Sequence, residues 1–176
     1  MICNGQRDEN YENLLKICTN GDLEGLKKFE SLGLYINGDI DKTPPLYMAL
    51  SFNKFDIAKF LLEHGADINN KFYNGMYGYK TTFIQMLVDS IATGFYDKFL
   101  DKLETESIAF LIDNGADVNI IDEEGYTPLD WSVMYNHHTA EELIKNRGGK
   151  FTKEFLFSNL YKRKRPNSNP NIEPFI

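Results

Sequence analysis

The sequence predicts an all-α solenoid of about four stacked helix-turn-helix repeats, closed by a C-terminal capping helix. Three observations lead there. One phrase occurs twice: residues 61–69 read Leu-Leu-Glu-His-Gly-Ala-Asp-Ile-Asn, and residues 111–119 read Leu-Ile-Asp-Asn-Gly-Ala-Asp-Val-Asn. A repeated phrase is one structural unit used more than once, and units too small to bury an apolar face alone must stack. Gly33, Gly65, Gly115 and Gly148 each follow an apolar, helix-like run, and they stand 32, 50 and 33 residues apart. Twenty-one residues before Gly148 lies Thr127, opening Thr-Pro-Leu-Asp-Trp-Ser, and the same step back from Gly65 finds Pro44, opening Pro-Pro-Leu-Tyr-Met-Ala.

Taken in order, these marks place helix pairs at 10–19 with 23–32, 45–52 with 55–64, 82–92 with 104–114, and 128–135 with 139–146. Pro128 fits the first turn of a helix, where its missing N–H costs nothing. Thr127 just before it is suited to capping the orphan N–H groups. Gly65 and Gly115 end the outer helices with a left-handed residue, a conformation that costs other residues about 1–2 kcal/mol. Asp67, Asn69, Asp117 and Asn119 are expected to bond backbone in the turns that follow. Leu61, Leu62, Leu111 and Ile112 face the neighbouring repeats. A last helix near 152–162, with Phe151, Phe155, Leu156 and Leu160, suits a cap over the end of the stack.

The step back from Gly33 reaches Glu12, which opens Glu-Asn-Leu-Leu-Lys-Ile. From Gly115 the same position, Thr81 opening Thr-Thr-Phe-Ile-Gln-Met, is 34 residues back, so the third repeat holds 13 extra residues. With its Thr-Pro-Leu opening and its Gly-Ala-Asp-Val-Asn ending, the chain resembles the ankyrin-repeat family over about residues 10–150. Asn20, Gly21, Asp22, Leu23 and Glu24 also match that family's inter-helix turn. The domain is expected at 10–150, with repeats at about 10–41, 42–74, 75–122 and 123–150. A flexible N-terminus spans 1–9, the capping helix 151–165 and an irregular tail 166–176. The family's histidine is replaced by Leu15, Tyr47, Ile84 and Asp130. The first repeat lacks Thr-Pro, and the last has Arg147, Gly148 and Gly149 in place of Gly-Ala-Asp, as terminal repeats often depart from the pattern.

The 13 extra residues lengthen the link between the third pair of helices, around 92–103, and the turn at 70–80, rich in Tyr and Gly, is separately four residues longer than its counterpart at 116–127. Added loop length is cheap. The composition of 70–80 suits a contact surface. Phe95, Tyr96, Phe99, Leu100 and Leu103 suit a helix extension that packs on itself.

With 176 residues, 42% of them apolar, the chain is long enough for one domain with a core. Its 19 basic and 26 acidic residues, a net charge of −7, argue against a nucleic-acid partner, whose phosphates need a basic face. The basic run at 162–165 reads first as a solvated helix end and second as a nuclear-localisation signal. Cys3 and Cys18 make neither a disulfide framework nor a zinc site, and suggest a reducing, intracellular setting. No apolar run is long enough for a membrane helix, and residues 1–10 have no apolar core of a secretory signal. A cytoplasmic location is expected, or a nuclear one through the basic run if the source is eukaryotic or viral.

No chemistry assembles. His137 and His138 are adjacent and do not share a helix face, so neither a metal nor a cofactor is expected. His64 stands next to a helix end, where a cation is favoured. There is no phosphate-binding Gly-Lys-Ser/Thr loop and no Gly-x-Ser-x-Gly. Asp122, Glu123 and Glu124 read as a solvated turn or as a contact for a basic partner. Nothing pairs a nucleophile with a base, so no enzyme is expected.

The resemblance implies that a partner protein binds the concave face, built from turn tips and inner helices. Mapped here it selects Met48, Ser51 and Phe52, with Asp41 and Thr43 before them. It then selects Tyr77, Tyr79 and Lys80, with Gln85 and Val88, and finally Glu123, Glu124, Tyr126, Trp131, Met134 and Tyr135. Interface hot spots favour Trp, Tyr and Arg. Phe52, Trp131 and Tyr135 have a rival claim to packing between repeats, and for Trp131 the two claims are equal. The resemblance also implies that Asn69 and Asn119, eight residues after Leu61 and Leu111, match a site of asparagine hydroxylation in some members, although a plain turn asparagine is the simpler reading.

The expected function is non-catalytic protein binding by a monomer, as an adaptor or regulator. The alternatives are a stoichiometric inhibitor of the antitoxin or immunity type, which masks a partner, and a host-directed effector. The last suits a composition heavy in Asn, Lys, Ile, Phe and Tyr, whose codons are AT-rich, as in many bacterial and viral genomes.

Overall fold

The computed structural model describes residues 4–32, 43–74, 79–92 and 98–156. Four helical hairpins follow one another along the described chain. They are α1 (Asn4–Asn20) with α2 (Leu23–Ser31), α3 (Pro45–Ser51) with α4 (Phe55–Glu63), α5 (Phe83–Ala92) with α6 (Lys98–Asp113), and α7 (Pro128–Met134) with α8 (His138–Asn146). A helical turn at 153–156 follows, where the capping helix is expected; the rest of that helix, the basic run and the tail lie outside the described residues.

Local chemistry explains the helix starts. Asp22 caps α2 by accepting from the Gly25 N–H at 2.8 Å. Pro45 and Pro128 stand in the first turns of α3 and α7. Thr127 opens α7 with a reciprocal capping box: its hydroxyl oxygen accepts from the Asp130 N–H, and the Asp130 carboxylate accepts from the Thr127 N–H. Asp130, at the fourth position of the Thr-Pro-Leu opening, therefore supplies one half of this cap.

The ends follow an equally local rule. Gly65, Gly115 and Gly148 have φ of 92°, 95° and 88°. After each glycine the next N–H reaches five residues back, from Ala66 to Leu61, Ala116 to Leu111 and Gly149 to Ile144. Asn53 and Asn136, with φ of 52° and 57°, end the short inner helices in the same manner.

The hairpins stack in two layers. In the inner layer α1 packs on α3 and α5 on α7; in the outer layer α2 packs on α4 and α6 on α8, while α3 also meets α6. One apolar cluster runs through the described repeats, with Leu14, Leu26, Leu50, Leu61, Leu87, Leu111, Leu129 and Ile144 among its buried members. Phe55 and Phe110 stack at 5.0 Å where α4 meets α6, and Phe72 lies against both Tyr47 and Phe83.

Three elements differ from the sequence reading. Helix α1 opens at Asn4, so part of the expected loose N-terminus is helical. Helix α6 opens at Lys98, not 104, and is 16 residues long against nine for α4 and α8. Much of the extra length at 92–103 is therefore helix. The other insertion holds a two-stranded antiparallel ribbon, β1 (Phe72–Asn74) with β2 (Tyr79–Thr81). Three-residue strands are too short to show a period-2 pattern in sequence.

Candidate functional site

The surface singled out by sequence is the inner-helix layer with its adjoining turn tips. Helix α3 supplies Met48, Ser51 and Phe52. Met48 is half-buried against the core, the Ser51 hydroxyl is turned away from solvent, and Phe52 at the helix end is 54% exposed. Helix α7 supplies Trp131, Met134 and Tyr135. Met134 is 43% exposed, and the half-buried Tyr135 ring lies 5.3 Å from that of Trp131.

Trp131 is not a surface residue. It is 1% exposed, and its Nε1–H donates to Asp122 Oδ2 at 2.8 Å. The contact reading of Trp131 is corrected: the ring fills the core and presents nothing to a partner. Gln85 and Val88 are likewise fully buried. Gln85 Oε1 accepts from the Thr82 N–H and hydroxyl, and Nε2 donates to the Tyr126 carbonyl at 2.7 Å. Partners for both the oxygen and the nitrogen of the amide explain why a polar group tolerates that site.

The turn tips are tied to one another. In the ribbon, Phe72 pairs with Thr81, both buried, while Tyr73 pairs with Lys80. Tyr79 pairs with Asn74 in the ribbon register. Tyr77 and Asp41 lie outside the described residues. The Lys80 N–H donates to Glu123 Oε2 at 2.7 Å, and the Lys80 carbonyl accepts from the Glu123 N–H at 3.3 Å. The fourth tip is thus anchored to β2 through Glu123.

Within that tip, Asp122 is 3% exposed, whereas Glu123 and Glu124 are exposed. Asp122 Oδ1 accepts from the Tyr126 N–H at 2.9 Å. Tyr126 is half-buried against the core. The acidic trio is therefore split: one carboxylate is internal structure and two are surface. Sequence reading also missed Tyr73 and Ile121, each 48% exposed at the tips. Alternation about the buried Phe72 would have marked Tyr73 as outward had the ribbon been foreseen.

The turns are joined in series as well. Asp67 and Asp117 each close their own turn through the N–H of Asn69 and Asn119. Asn69 Oδ1 accepts from the Asp117 N–H at 2.8 Å, and Asn119 Oδ1 from the Lys150 N–H at 2.7 Å. Polar contacts link successive outer helix ends: His64 Nε2 lies 3.4 Å from Glu30 Oε1, and Arg147 forms an ion pair with Asp113. Tyr11 donates to the Thr43 carbonyl across the first junction. Among the described residues no group of His, Cys, Asp and Glu is placed to hold a metal, and no helix is long and apolar enough to cross a membrane. His137 instead caps α8, accepting from the Ala140 N–H at 3.3 Å.

Comparison with known proteins agrees with the repeat architecture. A family model described as ankyrin repeats in many copies matches residues 102–145, and an ankyrin repeat model matches 44–70. An ankyrin repeat protein of fowlpox virus is 31% identical over 108 residues, 52% of this chain and 75% of that protein. An ankyrin repeat protein of Acanthamoeba polyphaga mimivirus is 33% identical over 57% of this chain, but only 11% of its own length is matched. A palmitoyltransferase of Neurospora crassa is 27% identical over 72% of this chain and 15% of the enzyme.

Proposed function

The chain belongs to the ankyrin-repeat family, whose repeats are generally non-catalytic protein-interaction modules, and on that premise we propose that it acts as an adaptor or regulator holding one partner protein across its inner helices and turn tips. The observation behind this reading is the pair Phe52 and Met134. They are large apolar residues, 54% and 43% exposed, at the ends of two inner helices of one stack. The same inner helices and tips carry the half-buried Met48, Tyr126 and Tyr135, while Glu123 and Glu124 supply negative charge on a tip anchored to Lys80. Apolar anchors inside a charged rim are the usual anatomy of a protein interface. Tyr77 and Tyr79 belong to the proposed surface by their position in the third turn.

The test is affinity capture by the intact protein beside a Phe52→Ala, Met134→Ala double variant, with circular dichroism confirming that both are folded. The reading expects a protein that the intact form retains and the variant loses at least tenfold. Equal retention by both forms moves the site off the inner face. Relatives in fowlpox virus and mimivirus favour, as a second reading, a host-directed binder. Capture from host lysate rather than from source lysate would single it out.

A further inference from the structure

We propose that the stack bends at the junction of its second and third repeats, with the turn-tip side as pivot and the side where α3 turns into α4 as the one that opens. The motion belongs to the free chain and stands whether or not a partner binds the inner face.

The middle junction is built unlike its neighbours. On either side of it like meets like: α1 packs on α3 and α2 on α4, then α5 on α7 and α6 on α8. In the middle the inner helix α3 meets the outer helix α6. The tip side of this junction is tied. The buried Phe72 ring lies 5.6 Å from Tyr47 of the second repeat and 5.1 Å from Phe83 of the third. Asn69 Oδ1 accepts from the Asp117 N–H at 2.8 Å across the same side.

The opposite side is short of hydrogen-bond partners. The buried Ser107 hydroxyl of α6 lies 2.7 Å from the Leu50 carbonyl and 2.7 Å from Asn53 Oδ1. A hydroxyl has a single hydrogen, so it serves these two acceptors only in turn. Asn53 Nδ2 and Ser51 Oγ are buried beside them with no hydrogen-bond partner. Asn53 also holds φ of 52°, the left-handed region that favours glycine. Buried polar groups are normally paired, so opening this side relieves a cost by letting water reach the amide and the hydroxyl. The neighbouring Phe55 and Phe110 rings stack at 5.0 Å, a non-directional contact that can slide as the side opens. The first junction is closed at the same level, where a Cβ on Gly21 would meet Lys54 Cδ at 3.0 Å because the lysine stem covers the turn.

Phe52 and Met134 end α3 and α7 on the opening side, one in each half of the stack. Bending therefore sets the distance between these two exposed apolar residues, as a hinge does between two rigid bodies.

The experiment uses the full chain with Cys3→Ser and nitroxides on two pairs of exposed sites, with distances read by pulsed electron resonance. Asp56→Cys with His138→Cys spans the opening side at the starts of α4 and α8, and Glu63→Cys with Asn146→Cys spans the tip side at their ends. Cys18 is buried and stays unlabelled. Circular dichroism confirms that each protein is folded. The expected distance distribution is about twice as wide for the opening-side pair as for the tip-side pair, the mark of a hinge with one fixed edge. Ser107→Ala, which removes the shared hydroxyl, should widen the opening-side distribution further and leave the other unchanged. Equal widths in the two pairs overturn the proposal, since they mean a rigid or a uniformly flexible stack. So does Ser107→Ala that widens both distributions or neither. No partner is present in the measurement, so a negative result removes the hinge and leaves the binding face standing; only equal capture by the Phe52→Ala, Met134→Ala variant removes the face.

Discussion

The Trp131 indole donates a 2.8 Å hydrogen bond to the Asp122 carboxylate, and both side chains are buried at the root of the fourth turn tip. The bond joins the inner helix α7 to the turn before it. Asp122 also accepts from the Tyr126 N–H, and Tyr126 in turn accepts from Gln85 of the third repeat. The pose of the exposed Glu123 and Glu124 is thus set by a chain of buried bonds behind them.

Replacing Asp122 with Ala strands the indole N–H and the Tyr126 N–H. A buried donor left without a partner costs about 1–3 kcal/mol, so Asp122→Ala is expected to lose roughly 2–3 kcal/mol. Asp122→Asn, which keeps an acceptor, should lose less. Urea unfolding followed by the fluorescence of this lone tryptophan measures both. Equal midpoints for Asp122→Ala and the parent would mean that the bond contributes nothing.

The asparagine that closes each long turn also holds the next repeat. Asn119 accepts from the Lys150 N–H and donates to the Gly148 carbonyl at 3.2 Å. Asn119→Ala should cost about 1 kcal/mol, since the site is half-open and water replaces part of the loss. The loosened part should be the C-terminal end of the stack. Hydrogen exchange would show faster amides in α8 with α3 unchanged; uniform acceleration would contradict a local effect.

Asn136 ends α7 with φ of 57° and is exposed. Ala in that conformation costs about 1 kcal/mol more than Gly. Asn136→Ala should therefore unfold at lower urea than Asn136→Gly, with the same far-ultraviolet circular dichroism. The reverse order would show that the asparagine side chain, rather than the backbone angle, is what matters.

Cys18 is fully buried, and desolvation raises its thiol pKa from 9.0 to about 12. A raised folded-state value means that the unfolded chain loses its proton first. Stability from this group is complete below pH 9 and falls as the pH climbs towards 12, by up to about 1.4 kcal/mol per unit. Cys18→Ala should lose stability less steeply between pH 9 and 11, measured as the difference in urea midpoints. Below pH 9 the native thiol should react with disulfide reagents only at the rate of opening. Parallel midpoint curves for the two proteins would remove the argument.

Features that repeat at short range were legible in the residues. A glycine needed for φ near 90°, a proline fitted to a first helical turn and Thr127 before an apolar run each report on the few residues beside them. Their recurrence at Gly65 and Gly115 made the stack readable, and the helix ends observed lie within a residue of those expected for α2, α3, α4, α5, α7 and α8.

What remained hidden depends on groups far apart in the chain. Trp131 had equal claims to surface and core until Asp122 and the packing of α5 on α7 enclosed it. Asn69 reads as an ordinary turn residue, because its partner Asp117 is 48 positions away. The Phe72–Thr81 ribbon is too short to leave a periodic trace, and Gln85 is satisfied only once Tyr126 is beside it. Backbone angles and helix caps are local quantities that a sequence displays directly. Burial is a property of everything that folds around a residue, and only the assembled stack separates the apolar side chains it encloses from Phe52 and Met134, which it leaves open.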